Sequence, residues 1–489
     1  MIPNDSQPYS SFRWSGARRR WAVGAILAAA IIIRALHFLE ARSAPYTRFQ
    51  EGEGTDMEFY HRWAVSLAAG DWLNRQAPHP VDWWHQAIAE AYFKRNPGDL
   101  ARCQAEAKTE GPAVTPAHVL WVRWFGGKRF DKDPLYPYLV AATYRVFGPD
   151  PRWVYVWQTA LGAGAILLIY LIAVRCFGDW AGVVAGVIAL VCGPELLYET
   201  VLLRESAIAF AGLAIVVAAQ RSFENPTAGK WFVTGTALGA GLLLKMVLAL
   251  FGAAIVGLMI QRYWREPRRG LRWAAAMGSG GALVLAPAMA RNAVLGVPPL
   301  AMSSNAAITW IITNYPGYAP RKGLFIDPEA VAGVMAKTQG TFLRSVWETL
   351  RSHPSVGSYL GLLARKFYAL CHWREIPDNV MSYYNSRAFS YVLCYVTPVT
   401  FSLIGPLGVL GMALALRRRW RLGSLAAIAP LYLLILCHAA TLMLFCPLSR
   451  FRLPMMMAMI PFAALAPARI IEARLARKEA RSQEPGVGR

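Results

Sequence analysis

Long apolar runs separated by short cationic stretches occupy most of this 489-residue chain. The runs fall at about 21–38, 153–174, 181–195, 206–220, 231–261, 273–290, 391–414, 423–445 and 453–468. They approach or reach the length of a helix that crosses a bilayer. The run 231–261 is too long for one ordinary crossing and carries Lys245 at its middle, so it reads as two short spans meeting near Lys245. The count is then about ten spans. Segment 135–148 is short for a span and reads as interfacial or re-entrant. The alternative lets 135–148 cross and makes 231–261 one tilted span, which moves Glu205 to the other side of the membrane.

The basic clusters set the sides. Arg18 to Arg20, Arg262 to Arg272, Arg417 to Arg421 and Arg469 to Arg481 flank the spans as the positive-inside rule requires for cytoplasmic segments. The first run, Trp21 to Phe38, lacks a small-residue cleavage site after it and is kept as a span. The boundaries that follow are a cytoplasmic N-terminus at 1–20, a first extracytoplasmic loop at 39–152 within a core of seven spans at 21–290, and a second large loop at 291–390. C-terminal spans occupy 391–470 and a basic cytoplasmic tail 471–489. Tyr60 to Gly70 and Trp83 to Phe93 have helical spacing with aromatic faces, as expected of helices lying in the membrane interface.

Composition narrows the class. With 55% hydrophobic and 16% charged residues, the chain reads as an all-α polytopic membrane protein and not as a string of soluble cores. The net charge of +22 is accounted for by topology, and no basic stripe with stacking aromatics suggests a nucleic-acid partner. The seven cysteines have neither CxxC nor Cys/His ligand spacing, so no zinc site or disulfide framework is indicated. Gly235 to Gly241 lies inside a span and lacks P-loop form.

Candidate chemistry gathers at the outer ends of the spans. Asp56 follows two glycines that permit close backbone approach, and Tyr60 and Trp63 lie about one helical turn on. Solvated loop charge is the plainer reading of Glu51, Glu53, Asp56 and Glu58. Glu199 and Glu205 flank Arg204, a set that either neutralises itself at the membrane edge or serves function. Lys245 needs an anion or water to offset its desolvation. Arg291 stands at an outer span end where snorkelling is common, and Lys132 has Asp131 and Asp133 as ready partners. The topology puts Lys132, Arg204, Lys245, Arg291 and Lys366 on the outer face beside carboxylates. Such a set suits an anionic lipid headgroup, the cations steadying a phosphate leaving group while a carboxylate takes a proton.

Several segments then carry a resemblance: Asp56 with Tyr60 and Ala64; Pro134 to Pro137 with Phe147-Gly148; Leu203 to Glu205; Gly241 to Lys245; Pro287 with Arg291-Asn292. Lys366 with Glu375 to Asn379, and Arg450 to Pro454, follow. In order and spacing the chain resembles the GT-C-type integral membrane glycosyltransferases, bacterial relatives of protein O-mannosyltransferases and of the lipid A aminoarabinose transferase. The resemblance implies a GT-C bundle with a large first exported loop. It makes Asp56 the acidic residue that acts as base or positions the acceptor, and Glu205, with Glu199 as alternative, the second acidic position. Lys132 matches a Lys that precedes Pro-Pro-Leu, except that Asp133 replaces the first Pro.

The expectation is an inverting transfer of a sugar from a polyprenyl-phosphate donor to a hydroxyl of a lipid, glycan or protein acceptor. It takes place at the periplasmic face of a bacterial inner membrane. Lys245, Arg291, Lys132 and Arg204 meet the donor phosphate, and Tyr60, Lys366 and Glu375 are further candidates. Asp56 and Glu205 are hard ligands of the kind Mg²⁺ accepts, but the resembled monophosphate-donor enzymes mostly work without metal, so none is expected. Rivals are a lipid or polysaccharide transporter, which should show inverted repeats, a polymerase or ligase with a diphosphate-linked donor, and a non-catalytic scaffold.

Overall fold

The structure, a computed structural model, describes residues 14–75, 82–112, 114–322, 326–373, 376, 380, 388–418 and 422–483. Its order begins with α1 (Gly16–Ala41), then α2 (Asp56–Ala68), α3 (Trp83–Arg95), α4 (Pro97–Glu110), α5 (Pro116–Phe125) and α6 (Leu135–Phe147). The bundle continues through α7 (Pro151–Phe177), α8 (Asp179–Leu190), α9 (Gly193–Tyr198), α10 (Glu205–Glu224), α11 (Ala228–Leu244), α12 (Ala249–Arg262) and α13 (Pro267–Val294). After α14 (Ala306–Asn314), α15 (Pro328–Thr338), α16 (Phe342–Arg351) and α17 (Val356–Cys371) come α18 (Phe401–Arg418), α19 (Leu422–Leu444), α20 (Ser449–Ala463) and α21 (Leu465–Gln483).

Helices α1, α7, α10, α13, residues 427–444 of α19 and the stretch 449–479 are long and apolar enough to cross a membrane. Helix α8, the stretch 246–262 and most of α18 are shorter apolar helices. The run 231–261 does divide at Lys245, where α11 ends in an extended residue and a 3₁₀ turn, Met246–Leu248, leads into α12. Helix α6 has 13 residues. At 1.5 Å per residue it spans about 20 Å, short of the roughly 30 Å hydrocarbon core. Helices α11 and α13 approach so closely that a Cβ on Gly235 would strike the Met277 carbonyl, and one on Gly280 the Phe232 carbonyl. Small residues let membrane helices pack in this way.

Much of the aromatic surface of α2 and α3 turns into the protein, although Trp83 at the start of α3 stays exposed. Tyr60 and Trp63 of α2 are buried in the main core. The loop helices α3 and α5 form a second core with α14 and α15, built on Ile88, Trp121, Ile308, Ile311, Val331 and Met335. Helical spacing reports a one-sided apolar face but not the medium it meets. Here the two long excursions between apolar helices supply enough apolar surface to cover each other. Trp124 Nε1 donates to Gln339 Oε1 at 3.0 Å across this union.

A buried polar chain ties the bundle to the loop helix α2 and to α6. Arg34 of α1 and Glu199 form an ion pair at 2.5 Å, with both side chains almost fully buried. Gln158 of α7 donates to the Glu199 and Val201 carbonyls, each at 2.9 Å, and accepts from the Tyr136 hydroxyl at 2.7 Å. The Tyr136 ring packs edge-on against Tyr60 at 5.0 Å. Arg34→Leu leaves the buried Glu199 carboxyl without its cation, and is expected to cost about 3–5 kcal/mol. The thermal midpoint of the purified protein checks this, with recovery expected in the double variant Arg34→Leu/Glu199→Leu.

Candidate active site

Asp56 is the first residue of α2. Thr55 caps the helix, its hydroxyl accepting from the Glu58 amide at 3.0 Å and donating to the Phe49 carbonyl at 2.8 Å. A carboxylate at this position is favoured by the helix dipole. Lys132 Nζ donates to Asp56 Oδ1, and Arg450 Nη1 of α20 lies 2.6 Å from Oδ2. Burial pushes the Asp56 carboxyl up, but the charges of Lys132 and Arg450 outweigh it and hold the group well below the usual carboxylate range. Asp56 is therefore an ionised carboxylate shared by two cations from distant parts of the chain.

A second pair stands beside it. Arg204 Nη1 lies 2.8 Å from Asp133 Oδ2 and donates to the Leu244 carbonyl at 2.9 Å. Asp133 Oδ1 accepts from the Met246 amide at 3.2 Å. Asp133 and Arg204 thus pin both sides of the chain break that presents Lys245. Lys245 Nζ sits 3.4 Å from the centre of the Phe451 ring, which also carries the Arg450 guanidinium at 4.6 Å. Among the described residues no hydrogen bond or ion pair engages the Lys245 ammonium. Glu205 opens α10; its Oε2 is buried without a hydrogen-bond partner, and its charge acts on Lys245 and Arg204. The buried Tyr60 ring faces Lys132 at 5.4 Å and Arg204 at 5.9 Å.

The structure brings Asp56, Tyr60, Lys132, Arg204, Glu205 and Lys245 together, and sends other candidates elsewhere. Arg291 does not join the cluster. Its guanidinium donates to the carbonyls of Leu73, Lys128 and Asn74 at 2.8, 2.7 and 2.5 Å and stacks on Phe130 at 4.1 Å. These bonds hold the long segment between α1 and α6 to the end of α13. Lys366 is fully buried and donates to Asn314 Oδ1 and the Phe445 carbonyl, each at 2.8 Å. Glu199 belongs to the Arg34 pair. Glu375 lies outside the described residues.

Sequence reasoning quoted Arg450 but gave it no role, and read Asp133 as a ready partner of Lys132 and as a departure from a motif, not as the partner of Arg204. The available signal for Arg450 was a buried cation within an apolar helix. Lys132 also departs from the plainer expectation, since its partner is Asp56 and not a neighbouring aspartate.

Comparison with known proteins bears on this geometry. Residues 131–290 match the family model described as dolichyl-phosphate-mannose-protein mannosyltransferase, a segment that includes Lys132, Arg204, Glu205 and Lys245. The apo oligosaccharyltransferase of Archaeoglobus fulgidus superposes over 96% of this chain with TM-score 0.50 and 14% identity. The chain has a GT-C fold. It spans about half of that oligosaccharyltransferase, 53% of its length. ArnT from Cupriavidus metallidurans, in a structure bound to undecaprenyl phosphate, aligns over 96% of this chain and 81% of its own at 14% identity and TM-score 0.37. No curated protein matches the sequence. Together with the helices long and apolar enough to cross a membrane, the GT-C fold makes the chain a multi-pass membrane protein.

Asp131 gives the site a pH signature. Burial raises its carboxyl to about 6; Lys132 and Arg204 oppose the rise, while Asp56 and Asp82 reinforce it. Its Oδ2 has no hydrogen-bond partner. The folded chain then holds a proton that the unfolded chain releases near pH 4, so stability from this group is complete below about pH 4 and falls as pH rises to about 6. Asp131→Asn is expected to flatten that fall and to gain on the order of 1 kcal/mol above pH 7. Thermal unfolding of both proteins from pH 4 to 8 checks it.

Proposed function

We propose that this protein transfers a sugar from a polyprenyl-phosphate donor to an acceptor hydroxyl, with inversion, at the outer face of a bacterial inner membrane. The observation that carries the reading is Asp56 shared by Lys132 and Arg450, with Lys245 held on the same Phe451 ring as Arg450. The name of the matching family model, which specifies a lipid-phosphate-linked mannose, supports the donor class.

In this reading Lys245 is the primary phosphate ligand. The donor phosphate enters beside it and competes with Asp56 for Lys132 and Arg450. Drawing those cations off raises the proton affinity of Asp56, so donor binding converts a neutralised carboxylate into a working base. The acceptor oxygen attacks the anomeric carbon as its proton passes to Asp56. The bond from that carbon to the phosphate oxygen breaks, and its electron pair leaves on the lipid phosphate, where the cations stabilise it. Arg204 and Glu205 fix the position of Lys245, Glu205 through charge. Arg291 enters only by anchoring the loop that carries Lys132. The side-chain cations perform the charge stabilisation for which a metal would otherwise be required.

Asp56→Asn keeps the size of the side chain and removes the base, and is expected to lower kcat by about 10²–10⁴-fold. Lys245→Met is expected to raise the KM for donor by about 10–100-fold, with the KM for acceptor little changed. Both are read by transfer from a synthetic polyprenyl-phosphate mannose in proteoliposomes. Undiminished transfer by well-folded Asp56→Asn protein refutes the assignment, and substrate movement across the bilayer without a glycosylated product supports transport instead.

A further inference from the structure

A cavity of about 610 Å³ lies at the outer ends of α1 and α7, lined among others by Arg42, Arg48, Glu51, His61, Asp150 and Arg152. It is built from the residue that ends α1, the 3₁₀ segment Pro45–Glu51, one face of α2 and the first turn of α7. The Tyr155 hydroxyl donates to the Thr47 carbonyl at 2.9 Å, joining two of these walls.

The charges are unbalanced. Arg152 is held by Asp150 through bonds of 3.0, 2.8 and 2.5 Å. Arg42 and Arg48 are exposed and have no carboxylate partner among the described residues. Burial lowers the pKa of His61, which Glu51 opposes, and a neutral ring results near pH 7. Three guanidinia therefore face the two carboxylates Glu51 and Asp150, leaving one positive charge uncompensated. The positive-inside rule gives no reason for arginines on this side of the membrane, because α1 runs outward from the Arg18 to Arg20 cluster. Exposed apolar side chains surround the cavity. Phe147 and Trp153 stack at 4.7 Å beside Asp150 and Arg152, and Leu36 and Leu39 are exposed on the last turns of α1. Aromatic residues so placed mark the headgroup level of a bilayer.

We propose that this cavity binds a singly charged phosphodiester, the headgroup of an anionic phospholipid in the outer leaflet, through Arg42 and Arg48. One negative charge matches the one left uncompensated, and a guanidinium fork suits phosphate oxygens. The site is separate from the Asp56 cluster and does not depend on the reaction proposed there. It shares the Pro45–Glu51 segment with that cluster, since the Phe49 carbonyl receives the Thr55 hydroxyl that caps α2.

The test uses the purified full chain in detergent, with phosphatidylglycerol and phosphatidylcholine titrated by native mass spectrometry. Wild type is expected to bind phosphatidylglycerol about tenfold more tightly than phosphatidylcholine. Arg42→Gln/Arg48→Gln should abolish that preference, Arg42→Lys/Arg48→Lys should keep most of it, and Arg268→Gln/Arg272→Gln at the opposite face should leave it intact. Thermal midpoints establish that each variant is folded. An unchanged preference in the glutamine double variant, or no preference in wild type, overturns the proposal. Soluble glycerophosphoglycerol separates the sources: displacement at millimolar concentration shows that the free phosphodiester suffices, and failure to displace bound lipid assigns the membrane-embedded form.

Discussion

The site rests on one carboxylate bound by two cations. Asp56 lies at the start of α2, Lys132 in the segment before α6, and Arg450 in the first turn of a helix near the C-terminus. Removing charges from water is costly, and the three can occupy this position only because each offsets the others. The arrangement therefore fixes the first loop to the last part of the bundle. It also makes the resting carboxylate a poor base, which is why the proposed chemistry needs the donor's own charge to redistribute the cations.

Around that triad the chain uses charge to hold backbone as often as to meet ligand. Asp133 ties Arg204 to the break after α11, and Arg291 spans three loop carbonyls. Lys366 does the same for the carbonyls that end α19 and follow it. A break in a membrane helix leaves polar backbone groups without partners, and side chains that satisfy them keep the irregular segment in place. Lys245 stands out because its neighbours are arranged in this way while, among the described residues, its own ammonium rests only on the Phe451 ring.

Much of this was legible from residues alone. Ionisable groups at span ends identified Asp56, Lys132, Arg204, Glu205 and Lys245, and the length of the run 231–261 located the break that presents Lys245. Arg291 and Lys366 carry the same signal as Lys132, Arg204 and Lys245, since a cation at a span end reads identically whether it joins a cluster of charges or a row of carbonyls. Only the fold separates the two uses. Arg450 was hidden for the opposite reason, sitting in a quoted motif with no carboxylate near it in sequence. The packing of α2 and α3 was equally out of reach, because their partners lie across the bundle or in the segment after α13.

The shared core of the two long excursions has an evolutionary corollary. Ile88 and Trp121 come from one excursion, and Ile308, Val331 and Met335 from the other. Exchanging either excursion with a relative would strip half of a hydrophobic interior and leave the remainder exposed to water. Surfaces built on these helices are thus inherited as a coupled pair. Diversification of whatever they recognise proceeds by matched changes more than 180 residues apart in the chain, between positions such as Trp121 and Ile308.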